Sequence, residues 1–231
     1  MKIKTIYLGI MVAFILAACQ SNSQKSGKDE QSEGQETEMI QLFNGNDLSN
    51  WSFFLRDPSV DPAGVFYVED GVIHITGNPF GYMRTNDSYS DYKLHLEWRY
   101  PVEATNSGVF IHVQQPDTIW PQCYESQLKA GSAGDLICMN GSDMNERTDK
   151  STIVVPKQAE SSEKATGEWN TMEIECRDNT INVTVNGVLQ NKATGTSLSE
   201  GHICLQSEGK DIEFKNIYLT MLDNQTGMTN E

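Results

Sequence analysis

The chain has 231 residues, of which 17 are Lys or Arg and 32 are Asp or Glu, so its formal net charge is −15. Proteins that bind nucleic acids or anionic lipid surfaces do so through clustered Lys and Arg, so this acidity argues against both classes of partner. Hydrophobic residues make up 38% of the sequence, enough for a packed core, and the length favours one domain. Neutral ligands such as sugars are compatible with this charge.

Residues 1–18 have the pattern of a bacterial lipoprotein signal peptide. Lys2 and Lys4 precede an apolar run over residues 6–18, which is too short to cross a membrane comfortably. The run ends in Leu-Ala-Ala before Cys19 and resembles a lipobox, in which the Cys thiol takes the lipid. We expect a lipidated Cys19 and a location in the bacterial cell envelope, with the membrane contacted through the lipid anchor only. A plain secretory signal with an accidental Cys is the alternative.

The composition divides the rest of the chain into three parts. Residues 19–38 are dominated by Ser, Gln, Gly, Lys and Glu, which favours a flexible tether after Cys19. The folded domain is predicted over residues 39–223, and residues 224–231 form a C-terminal tail. The domain contains four cysteines whose spacing matches no zinc site. Cys176 is assigned to the core, and a Cys123–Cys138 disulfide is left open.

The sequence of the domain predicts a series of short strands. Apolar and polar residues alternate with a period of two in several runs, and turn signals separate the runs. The dipeptide Asn186-Gly187 is typical of a tight hairpin turn, because both residues tolerate a positive φ. No long stretch has helical periodicity. The sequence therefore predicts an all-β fold, a β-sandwich of two antiparallel sheets.

Alternation places polar residues together on four predicted strand faces. On one concave sheet these faces would line a groove with a base, hydrogen-bond donors and aromatic walls; otherwise they are a solvated outer surface. Trp120 is either a sugar-stacking platform or a loop anchor, and Trp169 is assigned to the core. The four faces hold His95, Glu97 and Arg99; Phe110 and His112; Cys123, Glu125 and Gln127; and His202 and Gln206.

The common catalytic motifs do not occur in the sequence. It has no Gly-rich phosphate loop, dinucleotide fingerprint, zinc-binding helix or serine nucleophile elbow. A retaining glycosidase needs two carboxylates about 5 Å apart. The run Glu125-Ser126-Gln127 supplies only one, so ordinary glycoside hydrolysis loses support.

Nine short motifs, in order, resemble those of the 3-keto-disaccharide hydrolase family over residues 41–222. The first four are LFNGNDLSNW at residues 42–51, FYVEDG at 66–71, LHLEWR at 94–99 and NSGVF at 106–110. The others are Glu-x-Gln at 125–127, GEWN at 167–170, VNG at 185–187, Ile-x-Leu-Gln at 203–206 and Phe-x-Asn-Ile at 214–217. Each motif is weak alone, but nine in order are specific.

The resemblance implies a concanavalin A-like jelly roll and cleavage of glycosides whose glucose carries a ketone at C3. That ketone acidifies the C2 proton, so a base can remove it, the C1 substituent can leave by elimination, and water can then add. The chemistry needs a base, an electrophile at the enolate oxygen and an acid for the leaving oxygen. A divalent metal ion is one candidate electrophile, and no organic cofactor is implied. A separate oxidoreductase is expected to form the 3-keto sugar.

Site roles follow from the resemblance together with the predicted strand faces. Glu125 or His112 is expected to be the catalytic base. Glu97 and Asp135 are candidates for holding a metal ion or for a supporting role. The predicted carbohydrate-binding residues are Asn106, Gln127, Trp120, Gln206 and Arg99. A noncatalytic carbohydrate-binding lipoprotein on the same fold is the alternative function.

Overall fold

The structure is a computed structural model, and it describes residues 38–222. The predicted signal peptide, Cys19, the tether up to residue 37 and the C-terminal tail lie outside the described residues. Within the described part, one short 3-10 helix spans Pro62–Gly64, and no helix is long and apolar enough to cross a membrane. The strands are β1 (Met39–Gln41), β2 (Trp51–Leu55), β3 (Phe66–Glu69), β4 (Val72–Ile75), β5 (Gly81–Thr85), β6 (Tyr89–Ser90), β7 (Tyr92–Arg99), β8 (Gly108–Val113), β9 (Cys123–Gln127), β10 (Leu136–Met139), β11 (Val154–Val155), β12 (Asn170–Arg177), β13 (Thr180–Val185), β14 (Val188–Thr194), β15 (Glu200–Ser207) and β16 (Ile212–Met221).

The strands form two antiparallel sheets. The first sheet has the order β14-β13-β12-β7-β16-β4-β3, with β1 paired to β16. The second sheet has the order β11-β10-β9-β8-β15-β5-β2, with β6 paired to β15. Neighbours in space are often distant in sequence, as in a jelly roll, and the predicted all-β sandwich of two antiparallel sheets is confirmed.

The main core lies between the inner faces of the two sheets. Strand β7 buries every second residue, and its inward Leu94 and Leu96 pair with Ile174 and Met172 of β12. Burial of these side chains removes apolar area from water at about 25 cal/mol per Å² and provides the main stabilisation of the fold. Cys176 belongs to this core, as predicted.

The cysteines in the described residues are all free thiols. Cys138 packs in the main core, whereas Cys123 of the neighbouring strand packs in a second cluster on the other side of the same sheet. The register pairs Cys138 with Tyr124 and Met139 with Cys123. Because neighbouring residues of a strand point to opposite faces, the two thiols point away from each other and the pairing left open by the sequence is not made.

A β-bulge turns His112 into the core, and the predicted shared face of Phe110 and His112 is therefore wrong. The β15–β8 register shifts between His202 and Cys204, and His112 has a φ of 53°. A bulge places two residues opposite one and reverses the alternation beyond it. The His112 ring consequently packs between Tyr92 and Tyr124, with ring centroids 5.9 and 6.4 Å away.

Gly201 gives a test of this bulge, because its backbone lies against that of His112. Its φ is +151°, and a Cβ added there would lie 2.5 Å from the His112 carbonyl carbon. We expect Gly201→Ala to lower the free energy of unfolding by about 3 kcal/mol, measured by urea denaturation. Gly45→Ala is the matched control, since its φ is +80° but nothing lies within 4 Å of the added Cβ. It should cost only about 1 kcal/mol, and equal losses in the two variants would contradict the close contact.

Candidate functional site

The outer face of the second sheet carries Glu125 within a row of five side chains. The register aligns, strand by strand from β10 to β5, the residues Ile137, Glu125, Phe110, Cys204 and Arg84. Ile137, Phe110 and Cys204 belong to a hydrophobic cluster separate from the main core. The floor around Glu125 is therefore apolar and packed, and it fixes the position of the carboxylate.

Residues 114–122 connect β8 to β9 and fold over part of this face. Asp117 accepts a hydrogen bond from Arg84 Nε at 3.0 Å and one from the Tyr82 hydroxyl at 3.2 Å. Further along the loop, Trp120 packs against Phe80 with ring centroids 4.6 Å apart. The loop thus covers the β5 side of the face and leaves the β9–β10 side open. Sequence reasoning did not identify Arg84 or Asp117, because their pairing depends on contacts distant in sequence.

A cleft of about 380 Å³ opens beside Glu125 on the uncovered side, and this volume lies in the range of small-molecule sites. Trp120 lines it and is 45% exposed, so this side chain is both a loop anchor against Phe80 and an accessible aromatic wall. The residues that line the cleft are Trp120, Glu125, Ile137, Met139, Asn140 and Ile153.

Glu125 is a buried carboxyl group with no hydrogen-bonding partner among the described residues. Only 5% of the residue is exposed, and its carboxylate occupies the space above Gly108 that a side chain would fill. Burial, and secondarily the charge of Glu208, raises the pKa of Glu125 to about 8. A buried carboxyl group is normally paired or hydrogen-bonded, so this one is available to a ligand.

Three further polar residues lie at the Gln127 end of β9, around the gap that Gly108 leaves. Neither amide atom of Gln206 makes a hydrogen bond of regular geometry, although the side chain is buried, and the same holds for Asn106 Oδ1. Glu208 lies beside both amides, which favour its charged form, but burial has the larger effect and raises its pKa. Unpartnered buried polar atoms at one place indicate a site for a polar ligand.

Glu208 is the residue of the candidate site that sequence reasoning missed. It follows β15 directly and acts electrostatically on Glu125, although 83 positions separate the two residues in the chain. The expected single carboxylate is therefore a pair. The one available signal was its place two residues after Gln206, a predicted site residue, on the same strand face. The pairing with β8 that brings both strands together has no local signature.

The remaining predicted site residues of the second sheet have mixed placements. Gln127 lies beside Gly108 on the site face, but its Oε1 accepts hydrogen bonds from the backbone N–H groups of Leu128 and Lys129 at 2.9 and 2.8 Å. The amide nitrogen of Gln127 takes part in neither of these hydrogen bonds. Asp135 Oδ1 accepts a hydrogen bond from the backbone N–H of Lys157 at 2.8 Å and so supports a loop.

Glu97 and Arg99 do not belong to the site, because β7 is part of the other sheet. The prediction of one shared concave face is wrong for both residues, since alternation along a strand does not say which sheet the strand joins. Arg99 pairs with Glu213 and lies over the Trp169 ring at 4.5 Å, and Glu97 pairs with Lys215. Trp169 is also only partly buried on this outer surface, which corrects its assignment to the core.

His112 does not face the cleft either, because the bulge directs its ring into the sandwich. Its Nδ1 lies 3.3 Å from the Leu198 carbonyl oxygen, and burial lowers its pKa to about 4. The ring is therefore neutral near pH 7, with its proton on Nδ1 by this contact. Of the two expected bases, only Glu125 lies at the cleft.

The described residues do not provide the donor set expected for a metal ion. No three His, Cys, Asp or Glu side chains in residues 38–222 come together as a potential ligand group. The two predicted ligands, Glu97 and Asp135, lie on different sheets.

Several solved structures share this fold. A Parabacteroides distasonis protein provisionally described as a glycosyl hydrolase has a TM-score of 0.61 and 22% identity, with 80% of this chain and 94% of that chain covered. The Bacillus licheniformis beta-glucanase has a TM-score of 0.53 and 12% identity, with coverage of 83% and 100%. The carbohydrate-binding module CBM66 from Bacillus subtilis has a TM-score of 0.51 and 9% identity, with coverage of 73% and 93%. At these identities the likeness establishes the jelly-roll fold.

Sequence comparison identifies the family. No curated protein sequence matches the chain. A family model described as the 3-keto-alpha-glucoside-1,2-lyase-like domain matches residues 38–220, nearly the whole of the described part. The chain therefore belongs to this family of carbohydrate-active domains, as its motifs predicted.

Proposed function

We propose that the protein is an enzyme of the bacterial cell envelope, held there by lipid on Cys19, that cleaves 3-keto-glucosides by elimination and hydration. The observation that carries the proposal is the buried Glu125 carboxylate, which has no hydrogen-bonding partner, faces the cleft and has a pKa raised to about 8. A separate oxidoreductase would supply the 3-keto substrate.

Glu125 is suited to remove the C2 proton. A ketone at C3 acidifies that proton, and a base whose pKa lies near the working pH combines availability with proton affinity. An ordinary carboxylate, with a pKa of 4.5, would be a much weaker base. Burial accounts for most of the rise in the pKa of Glu125, because it disfavours the charged form of the carboxyl group. The absence of a hydrogen bond to Glu125 leaves both oxygens free to approach the substrate.

Gln206 and Asn106 are proposed to bind the ketone side of the sugar. As Glu125 takes the C2 proton, the C–H electrons form the C2–C3 double bond and negative charge develops on the C3 oxygen. The Gln206 amide can donate a hydrogen bond to that oxygen, since it has no regular hydrogen bond of its own. A donor already held in place in a buried site stabilises such charge strongly.

Glu125 is proposed to pass the C2 proton on to the leaving oxygen, because C1 is bonded to C2 and its oxygen lies next to the protonated carboxyl group. Glu208 assists as an anion, since its charge raises the proton affinity of Glu125. The C3 carbonyl re-forms from the enolate, the C1–C2 double bond forms, the C1–O bond breaks, and the leaving oxygen takes the proton from Glu125. Water then adds across the enone, with hydroxide at C1 and a proton at C2. The net change is hydrolysis to a 3-keto sugar and an alcohol.

Ordinary hydrolysis of unoxidised glycosides is the second candidate. The observation that favours it is the Glu125–Glu208 pair, because glycosidases use two carboxyl groups with separated pKa values. Incubation of the protein with a 3-keto-glucoside and with its unoxidised parent separates the two candidates. We expect cleavage of the keto compound alone. Cleavage of the parent would favour ordinary hydrolysis, and binding without turnover of either would favour a carbohydrate-binding module. A parallel arm with a chelator tests for a contribution from a divalent cation.

Glu125→Gln tests the proposed base directly. The change keeps the size of the side chain but removes proton transfer, so kcat for a 3-keto-glucoside should fall at least about a hundredfold. Binding of the unoxidised parent, measured by titration calorimetry, should change little. Because a buried carboxylate is costly to ionise, the variant should also unfold no more readily than the wild type. Retention of full activity would remove Glu125 from the mechanism.

The pH dependence tests the coupling between the two carboxyl groups. Glu125 must be ionised to act as a base, so kcat/KM should rise with pH through a midpoint near 8. In Glu208→Gln the neighbouring negative charge is lost, the ionised form of Glu125 is favoured, and the midpoint should move to lower pH. A nitrophenyl 3-keto-glucoside keeps the rate measurable, because its leaving group needs little protonation. An unchanged midpoint would contradict the coupling.

Gly108→Ala tests how Glu125 is positioned. A Cβ at residue 108 would overlap the carboxylate, so the side chain must move and kcat should fall about tenfold or more. Gly64→Ala is the control, because it meets nothing within 4 Å and has no positive φ. Equal activity of both variants would show that the niche above Gly108 is not required.

A further inference from the structure

The surroundings of Glu125 differ on its two sides. At the Gln127 end of β9, beside the residues that line the cleft, lie the polar groups Asn106, Gln206 and Glu208. At the Cys123 end the lining is apolar: Met139 pairs with Cys123, and Trp120 and Ile153 complete the wall. Trp120 and Ile153 are 45% and 48% exposed, an unusual clustering of accessible apolar side chains around a concave surface.

The chemistry of the sugar orients the substrate along this gradient. C2 is bonded to C3 on one side and to C1 on the other. With the C2 proton at Glu125 and the C3 ketone directed to Gln206, the C1 substituent extends away from the polar end. It therefore lies against Trp120, Met139 and Ile153.

The geometry points to an apolar, ring-containing aglycone as the leaving group, rather than a second sugar. This assignment rests on the proposed cleavage of 3-keto-glucosides. Beyond Glu125, the side-chain amide of Asn140 is the one strongly polar group among the residues that line the cleft. A second sugar would place several hydroxyl groups against Ile137, Met139 and Ile153, where they lose hydrogen bonds to water. An apolar ring gains there instead, and it can pack on the Trp120 face.

The charge around the cleft also favours a neutral aglycone over an anionic one. Glu125 lies next to the leaving group, Glu208 lies close enough to act electrostatically on Glu125, and the chain as a whole carries −15. An anionic aglycone would be repelled by both carboxylates once they ionise. A neutral alicyclic or aromatic alcohol meets neither penalty.

Three 3-keto-glucosides that differ only at C1 test the assignment: cyclohexylmethyl, methyl and glucosyl. In Ile153→Ser, the ratio of kcat/KM for the cyclohexylmethyl compound to that for the methyl compound should fall about tenfold. The corresponding glucosyl-to-methyl ratio should not fall. Leu189→Ser is the matched control, because Leu189 is similarly exposed, at 52%, and lies on β14 of the other sheet. It should leave both ratios unchanged.

The outcomes separate this inference from the proposed function. An unchanged cyclohexylmethyl ratio in Ile153→Ser, or an equal fall for the glucosyl compound, would overturn the apolar aglycone while cleavage itself stands. If the wild type cleaves no 3-keto compound, the proposed function fails. Binding of unoxidised cyclohexylmethyl glucoside then decides: about tenfold weaker binding to Ile153→Ser supports the apolar cleft, and equal binding overturns it.

Discussion

The burial of one carboxyl group above a glycine is the constraint on which the site depends. Gly108 has no side chain, and the Glu125 carboxylate lies in the space that one would fill. This niche removes the carboxylate from water, and its pKa rises to about 8. The niche needs β8 and β15 in fixed register, and the Ser107 hydroxyl helps by donating a hydrogen bond to the Gln206 carbonyl at 2.8 Å. The glycine at position 108 thus links the packing of the sheet to the raised pKa of Glu125.

The second sheet is packed on both faces, and this double packing holds the site rigid. Its inner face contributes Val109 and Ile111 to the main core, while Phe110 between them belongs to the outer cluster. The 114–122 loop then covers part of that outer cluster through Asp117. The floor of the cleft is therefore a second small core rather than a sheet surface exposed to water, and its packed neighbours restrict the side-chain positions at the cleft.

Local patterns in the sequence predicted the strands and much of the site. They failed where contacts between residues distant in sequence determine the position of a side chain. Alternation predicted the inward faces of β7 and β12 correctly, because both strands are regular. Alternation misplaced His112, because a β-bulge interrupts the period of two and has no sequence pattern of its own. It misplaced Arg99, because the pattern of a strand does not show which sheet the strand joins. Motif resemblance identified Glu125, which lines the cleft, and Asn106 and Gln206, which lie near the Gln127 end of β9. Glu208 was missed because its partner is distant in sequence.

Two carboxylates are buried in the described part of the chain, and their surroundings differ in a way that separates structure from chemistry. Glu213 forms an ion pair with Arg99, which compensates the cost of its burial, and His74 Nδ1 lies 3.4 Å from its carboxylate. Glu125 has no cation and no hydrogen-bond donor, and its nearest charged influence is another carboxylate, Glu208. For stability alone, such an arrangement is unfavourable, because burial disfavours the charged form of Glu125 and no ion pair compensates for it. A buried carboxyl group without a partner, close to a Gln206 amide that makes no regular hydrogen bond, is the arrangement expected of a site whose hydrogen bonds are completed by a polar ligand.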